Sequence, residues 1–269
     1  MLRNIKKSLE GSLMVEKDCF MKQKIIKSFN KADSSYDFDC QLQNNVCLPC
    51  LDLLNRKKRY FHSIVDLACG TGNSTKYLIE KINHSKCYAV DFSENLLQLA
   101  KSKNQTNDIE FILSDFDNLD FYQRKQDLLF CNMGLQWSLN LTHSLYQFNS
   151  YLKTNGFLVF SMPVNNTFDQ IGSDYKNTMR NSEDMLLDLV AAGFDIMDHQ
   201  IIKYNYAYDS PLSALKSIKN VGANCTINHL INKKSKFLRK NLADIFINPK
   251  KITLNYDIAI YIVIKMEEK

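Results

Sequence analysis

VDLACGTGNSTKYL, residues Val65 to Leu78, sets the reading of this chain. An apolar run carries one acid, Asp66, turns at Gly70-Thr71-Gly72 and continues into a helical pattern. Only eight glycines occur in 269 residues, so two of them two residues apart mark a turn of special geometry. Strand, G-x-G turn and helix build a pocket at the carboxyl end of the strand. Gly70 permits the tight turn, and Gly72 is expected to let the backbone approach a ligand. A dinucleotide fingerprint would place a third glycine at position 75. Thr75 stands there, which disfavours a nicotinamide-dependent oxidoreductase. The match is to the shorter D-x-x-x-G-x-G pattern, formed by Asp66, Gly70 and Gly72. An acid before the turn suits a ligand with an ammonium group rather than a pyrophosphate.

Outward from this stretch, short apolar runs alternate with helical ones. The runs cover 63–69, 86–92, 109–116, 127–133 and 156–163, with helical stretches NSTKYLIEKI, SENLLQLAKSK and LTHSLYQFNSYL between them. Such alternation predicts parallel strands in a doubly wound sheet covered on both faces. Upstream, FMKQKIIKSFNKADSSYD reads as a helix on apolar Phe20, Ile25, Ile26 and Phe29, and a second helix is expected from Gln41 to Leu54. Downstream, Ser182 reads as the N-cap of a helix ending at Gly193. A strand is expected over 195–206, a helix from Pro211, another within KKSKFLRKNLADIF, and a final strand in YDIAIYIVIKM.

Composition bounds the function. Apolar residues make up 45% and charged residues 23% of the chain, ordinary values for a globular protein. The formal net charge of +5 is too mild to predict nucleic acid as a partner, for which clustered basic charge is expected. It is compatible with an acidic protein partner. No apolar run reaches the roughly 18 residues of a membrane span. The first residues have neither an apolar signal core nor a small-residue cleavage site. They are expected to form a dispensable tail, with Met14 or Met21 as alternative starts. Without a secretion signal, the eight cysteines are expected to be reduced thiols of a cytoplasmic protein. CLPC at 47–50 lacks a second such pair or nearby histidines, so Cys47 and Cys50 read as helix packing and no metal is expected.

Two more acids end strands. Asp91, followed by Phe92, can accept both hydroxyls of a ribose. Asp115, followed by Phe116, can hold an adenine amino group beneath an aromatic cover. For each acid alone, a strand-end turn or helix cap is the commoner explanation. In order behind the G-x-G turn, they point to S-adenosylmethionine, whose sulfonium and α-amino groups are cationic. The candidate cofactor set is Asp66, Ala68, Gly70, Gly72, Asp91, Phe92, Asp115, Phe116 and Asn132.

Val65–Pro163 resembles the class I S-adenosylmethionine-dependent methyltransferases. That resemblance implies an α/β, Rossmann-like seven-stranded sheet with an antiparallel last strand, an N-terminal helical lid and a small helical cap insertion. A closer resemblance, to the malonyl-acyl-carrier-protein O-methyltransferases of biotin synthesis, reaches almost the whole chain. It rests on IIKSFNKADSSYD, CNMGLQWSLNL, LKSIKNVGAN and YDIAIYIVI. The chain departs from that family in the short stretch after Pro163 and at Asn220-Val221. One domain is implied: a tail over 1–18, a helical lid over 19–58, a cofactor core over 59–163, an acceptor-side cap over 164–250 and a terminal strand over 251–269.

The implied reaction methylates the free carboxyl of a malonyl thioester. That carboxylate is already ionised at neutral pH, so no general base is expected. On the acceptor side, Tyr36 is either a lid aromatic or a helix-end packing residue. Gln136 and Trp137 follow the fourth strand, where Trp137 is either a site or a core residue. Arg180 is either a bidentate partner of the malonyl carboxylate or a surface cation. Lys216, Lys219, Lys233, Lys234, Arg239 and Lys240 form either a docking face for an acidic acyl carrier protein or an ordinary solvated face. A monomer is expected. The alternatives are a methyltransferase of the same fold acting on another small carboxylic acid or quinone precursor, a nucleic-acid methyltransferase, and a silent partner subunit.

Overall fold

The computed structural model describes residues 20–30, 40–106, 108–119, 125–171, 179–220 and 252–267, excluding the side chains of 219 and 220. Helix α1 covers 20–29. There follow α2 (Gln41–Lys57), β1 (Tyr60–Leu67), α3 (Asn73–Lys81), β2 (Asn83–Asp91), α4 (Glu94–Lys103) and β3 (Ile109–Leu113). Next come β4 (Gln126–Asn132), α5 (Leu141–Tyr151), β5 (Leu152–Pro163), α6 (Ser182–Ala191), β6 (Phe194–Tyr208), α7 (Pro211–Asn220) and β7 (Ile252–Lys265). One-turn 3-10 helices lie at Phe116–Asn118 and Leu135–Trp137.

The seven strands form one sheet in the order β3-β2-β1-β4-β5-β7-β6. The first five are parallel, and β7 runs antiparallel between β5 and β6. The predicted fold class is therefore present, including the antiparallel last strand. The chain steps outward from β1 to β2 and β3 on one side, then crosses back to place β4 on the other side of β1. This reversal opens a crevice at the strands' carboxyl ends, where open α/β sheets hold ligands.

Both sheet faces are covered, which explains the near-continuous apolar runs. Alternate residues point to opposite faces. Val65, Leu129, Leu158 and Phe160 pack with Phe29, Phe148 and Leu189. Ile64, Leu128, Phe130 and Val159 pack with Val46, Cys50, Leu54 and Leu78. Helix α2, expected as part of a lid, thus belongs to the second core. Cys47 and Cys50 are buried and free in it, and burial pushes the Cys50 thiol up to about 12. Pro49 lies inside α2 and offers no N–H to the carbonyl four residues earlier. That carbonyl, of Asn45, instead accepts the Tyr204 hydroxyl of β6 at 3.1 Å.

Several local expectations change. Phe20 is 57% exposed, under the Lys24 ammonium, whereas Lys22 of the same helix is buried. Counting apolar positions alone misassigned that face. The cap of α6 is Asn181, which accepts from Glu183 N at 2.8 Å. Ser182 is buried instead, within 2.7 Å of His199 Nε2 and 2.9 Å of Tyr261 Oη. The helix expected in KKSKFLRKNLADIF lies outside the described residues.

Candidate cofactor and acceptor site

The carboxyl ends of β1, β2 and β4 frame a cleft of about 590 Å³, counted out to its open mouth. Its floor is the turn Ala68-Cys69-Gly70, with Asp91 and Phe92 on one side and Asn132, Met133 and Gly134 on the other. The starts of two helices close it: Thr71, Asn73 and Ser74 lead into α3, and Cys40, Gln43 and Asn44 open α2. Phe29 of α1 and Trp137 form an aromatic wall, with their rings edge-to-face at 5.4 Å.

The backbone here is strained. Ala68 and Met133 both have φ of 55°, a left-handed conformation that costs non-glycine residues of order 1 kcal/mol or more and clusters at functional sites. They end neighbouring strands that approach closely. A Cβ on Gly134 would lie 2.6 Å from Cys131 Sγ and 2.7 Å from Ala68 Cβ. Gly72 is also required, but for a different reason from that expected. Its φ is 83°, and a Cβ there would meet Asn104 Nδ2 at 2.5 Å and Ala100 Cβ at 2.9 Å. Its bare face admits α4 rather than a ligand.

Asp66 is fully buried and stands one layer behind the cleft. Its Oδ2 accepts from Ser74 Oγ at 2.8 Å and Thr75 Oγ1 at 2.7 Å. Thr75, where a dinucleotide site would carry glycine, therefore orients this acid. Oδ1 is buried without a hydrogen-bond partner. Burial pushes the carboxyl up to about 7, against the two hydroxyl bonds. Any reach toward a ligand ammonium passes by Ser74, which does line the cleft.

Asp91 lines the cleft directly and also organises it. Oδ2 accepts from Gly70 N at 2.8 Å, and Oδ1 accepts from Ser93 N at 2.8 Å. Burial raises its carboxyl to about 6. A further backbone bond from Phe92 shares this carboxylate, whose roughly four acceptor positions still leave room for a ribose hydroxyl. The turn and cap roles and the ligand role thus coexist in one residue. Phe92 faces the cleft. Phe116, expected as a ring cover, is 1% exposed and packs near Phe148 in the core, away from the open lining. Asp115 is also outside the lining, ion-paired with Lys22 at 2.9 Å.

Asn132 lines the cleft, donates to Gln43 O at 2.9 Å and accepts from Ser161 Oγ at 2.9 Å. It ties α2 to the ends of β4 and β5. Trp137 occupies both of its expected places, lining the cleft while 8% exposed in the core. Gln136 turns away from the lining and donates to Met133 O at 2.7 Å. Arg180 is not brought to the cleft. It forms an ion pair with Asp188 of α6, which takes up the guanidinium expected for malonyl. Lys216 is exposed on α7. Tyr36, Lys233, Lys234, Arg239, Lys240 and the side chain of Lys219 lie outside the described residues.

Sequence reasoning missed Phe29, Cys40, Gln43, Asn44 and Asn73. Their signal was faint: the polar residues at the helix starts belong to no motif, and Phe29 read only as an apolar position of a helix. The cleft residues fit the cationic nucleoside inferred from the acids. An orphaned carboxylate oxygen and a free-edged Asp91 lie at one end, and no Lys, Arg or His side chain is among the described lining. No group of three metal-ligating side chains occurs among the described residues. No described helix is long and apolar enough to cross a membrane.

Strand order, antiparallel β7, strained turn and paired acids together define a class I S-adenosylmethionine-dependent methyltransferase. A model of the methyltransferase domain matches residues 64–156. Over 248 residues the chain is 37% identical to malonyl-[acyl-carrier protein] O-methyltransferase 2 of Coxiella burnetii, covering 91% of this chain and 97% of the relative. It is 28% identical over 211 residues to the malonyl-[acyl-carrier protein] O-methyltransferase of a Marinomonas species, covering 75% and 77% of the two chains. The chain belongs to the malonyl-[acyl-carrier protein] O-methyltransferase family. Among solved structures, the YcgJ protein of Bacillus subtilis shares the fold, with a TM-score of 0.60 at 14% identity over 82% of this chain and 100% of that one.

Proposed function

We propose that this chain methylates the free carboxylate of a malonyl group carried on acyl carrier protein or coenzyme A, in the route to biotin. The observation that carries the reading is family membership across nearly the whole chain, together with a cleft whose acids suit a cationic nucleoside. S-adenosylmethionine, when bound, supplies an activated methyl group.

The chain's own residues then have three tasks. Asp91 holds the ribose hydroxyls while fixing the Gly70 turn. Asp66, behind Ser74, favours positive charge at the methionine end. Phe29, Phe92 and Trp137 exclude water from the reacting centre. Orientation of this kind can supply about 7–11 kcal/mol in favourable cases. The acceptor is already an anion, so no described residue has to remove a proton. The amides of Gln43, Asn44, Asn73 and Asn132 offer neutral donors, which orient a carboxylate without neutralising its charge. Tyr36 closes the acceptor side in this reading, and Gln136 supports the Met133 turn. Lys216, with the other basic residues named above, would meet an acidic carrier protein. The protein acts as a cytoplasmic monomer.

Mass spectrometry of malonyl carrier protein after incubation with the chain and S-adenosylmethionine tests this directly, with malonyl coenzyme A alongside. A gain of one methylene mass on the malonyl group supports the reading. Cofactor binding with no mass gain on either thioester refutes the acceptor and leaves the methyltransferase class.

A further inference from the structure

Lys22 is a cation on a helix face otherwise read as apolar, yet it is 8% exposed. Its Nζ lies 2.9 Å from Asp115 Oδ1 and 2.9 Å from Asp117 Oδ2. It also sits 5.0 Å from the centre of the Phe116 ring and 5.7 Å from that of Phe92. An ammonium group flanked by a carboxylate and two aromatic rings occupies the surroundings that an adenine amine would need. The open cleft agrees. Its lining reaches Phe92 and Leu96 but includes neither Asp115 nor Phe116, so the region behind Phe92 is filled.

We propose that Lys22 is a resident occupant of the adenine end of the cofactor cleft, and that it yields Asp115 to the exocyclic amine when the nucleoside binds. The proposal rests on the cofactor reading of the cleft. The side chain has somewhere to remain. Asp117 is held independently, accepting from Ser144 Oγ at 2.6 Å and Leu139 N at 3.2 Å. Burial opposes its anion, but the Lys22 charge and these bonds outweigh that and hold its carboxyl below the usual range. Lys22 can therefore release one carboxylate and keep the other. Helix α1 has separate anchors. Phe29 packs edge-to-face on Phe92 and Trp137. Asn30 accepts from Ser93 Oγ at 2.5 Å and Asn95 Nδ2 at 2.9 Å. The exchange thus needs a swing of one long side chain and leaves the helix in place. It is a donor-for-donor exchange, and no covalent bond changes.

The test is the affinity of S-adenosylhomocysteine, measured by calorimetry on the full chain. This probe lacks the sulfonium charge, so loss of a nearby lysine does not favour it by simple charge attraction. Lys22→Met keeps the stem and removes the competing donor, and tightens binding by roughly tenfold, the weight of one charge-assisted hydrogen bond. Lys22→Arg spans both carboxylates with a planar fork and weakens binding. If Lys22 only docks α1, the order reverses: Met weakens binding and Arg preserves it. Equal affinities in all three proteins also overturn the proposal. No binding by the unmodified protein overturns the cofactor reading beneath it, a result distinct from either pattern.

Discussion

Asp66→Asn isolates the cost of keeping a carboxylate behind the cleft. In the folded chain without ligand, burial moves this carboxyl from 3.8 to about 7. Between those values the folded state binds more protons than the unfolded state. Stability contributed by the group is therefore present at low pH and is lost as pH rises toward 7. The slope approaches about 1.4 kcal/mol per pH unit within the window and flattens above it. From about pH 5 to about pH 8, Asp66 alone removes about 2–3 kcal/mol of stability. Asparagine keeps an oxygen for the Ser74 and Thr75 hydroxyls and cannot ionise. It costs something at every pH, because its new N–H groups lack partners, but that cost is flat. Urea denaturation of both proteins at the two pH values gives the answer. The gap between their stabilities should move by about 2–3 kcal/mol in favour of Asp66→Asn at the higher pH. Asp91, raised to about 6, titrates in both proteins and largely cancels. Parallel pH profiles would refute the reasoning and show that Asp66 is already ionised in the empty fold.

Two further outcomes follow from the same geometry. Asp91→Ala should abolish S-adenosylmethionine binding by calorimetry while the protein still melts cooperatively. The loss of two backbone acceptor contacts costs about 1–3 kcal/mol, and unchanged affinity would remove Asp91 from the site. Tyr204→Phe should cost about 0.5–1 kcal/mol in the natural chain and close to nothing in a Pro49→Ala background, where residue 49 regains an N–H for the Asn45 carbonyl. Equal costs in both backgrounds, read by a double-mutant denaturation cycle, would show that the hydroxyl is not filling that gap.

The strands and the G-x-G turn were legible because burial on both faces writes itself as apolar runs, and because glycine marks positive φ. Asp91 and Asn132 were legible from their places at strand ends. The remainder depended on packing between distant segments. Lys22 was invisible because a charge reads as solvent-facing until two carboxylates from residues 115 and 117 meet it. Arg180 was assigned by its chemistry, but Asp188, two turns along α6, claims it. Phe116 follows Asp115 into the 3-10 turn at Phe116–Asn118, and its packing near Phe148 is a contact that adjacency to the acid does not reveal. Gln43 and Cys40 reach the cleft only because α2 packs under the sheet with its first turn at the strand ends.

The bond that repairs the proline gap in α2 also sets an order of events. Asn45 and Tyr204 are 159 residues apart. During synthesis at about 5–20 residues per second, α2 emerges roughly 8–30 s before the hydroxyl that completes it. For that interval the Asn45 carbonyl lacks the hydroxyl that it accepts in the fold. The last polar group of α2 is therefore closed only once β6 is in place, after much of the helix's apolar surroundings has been made.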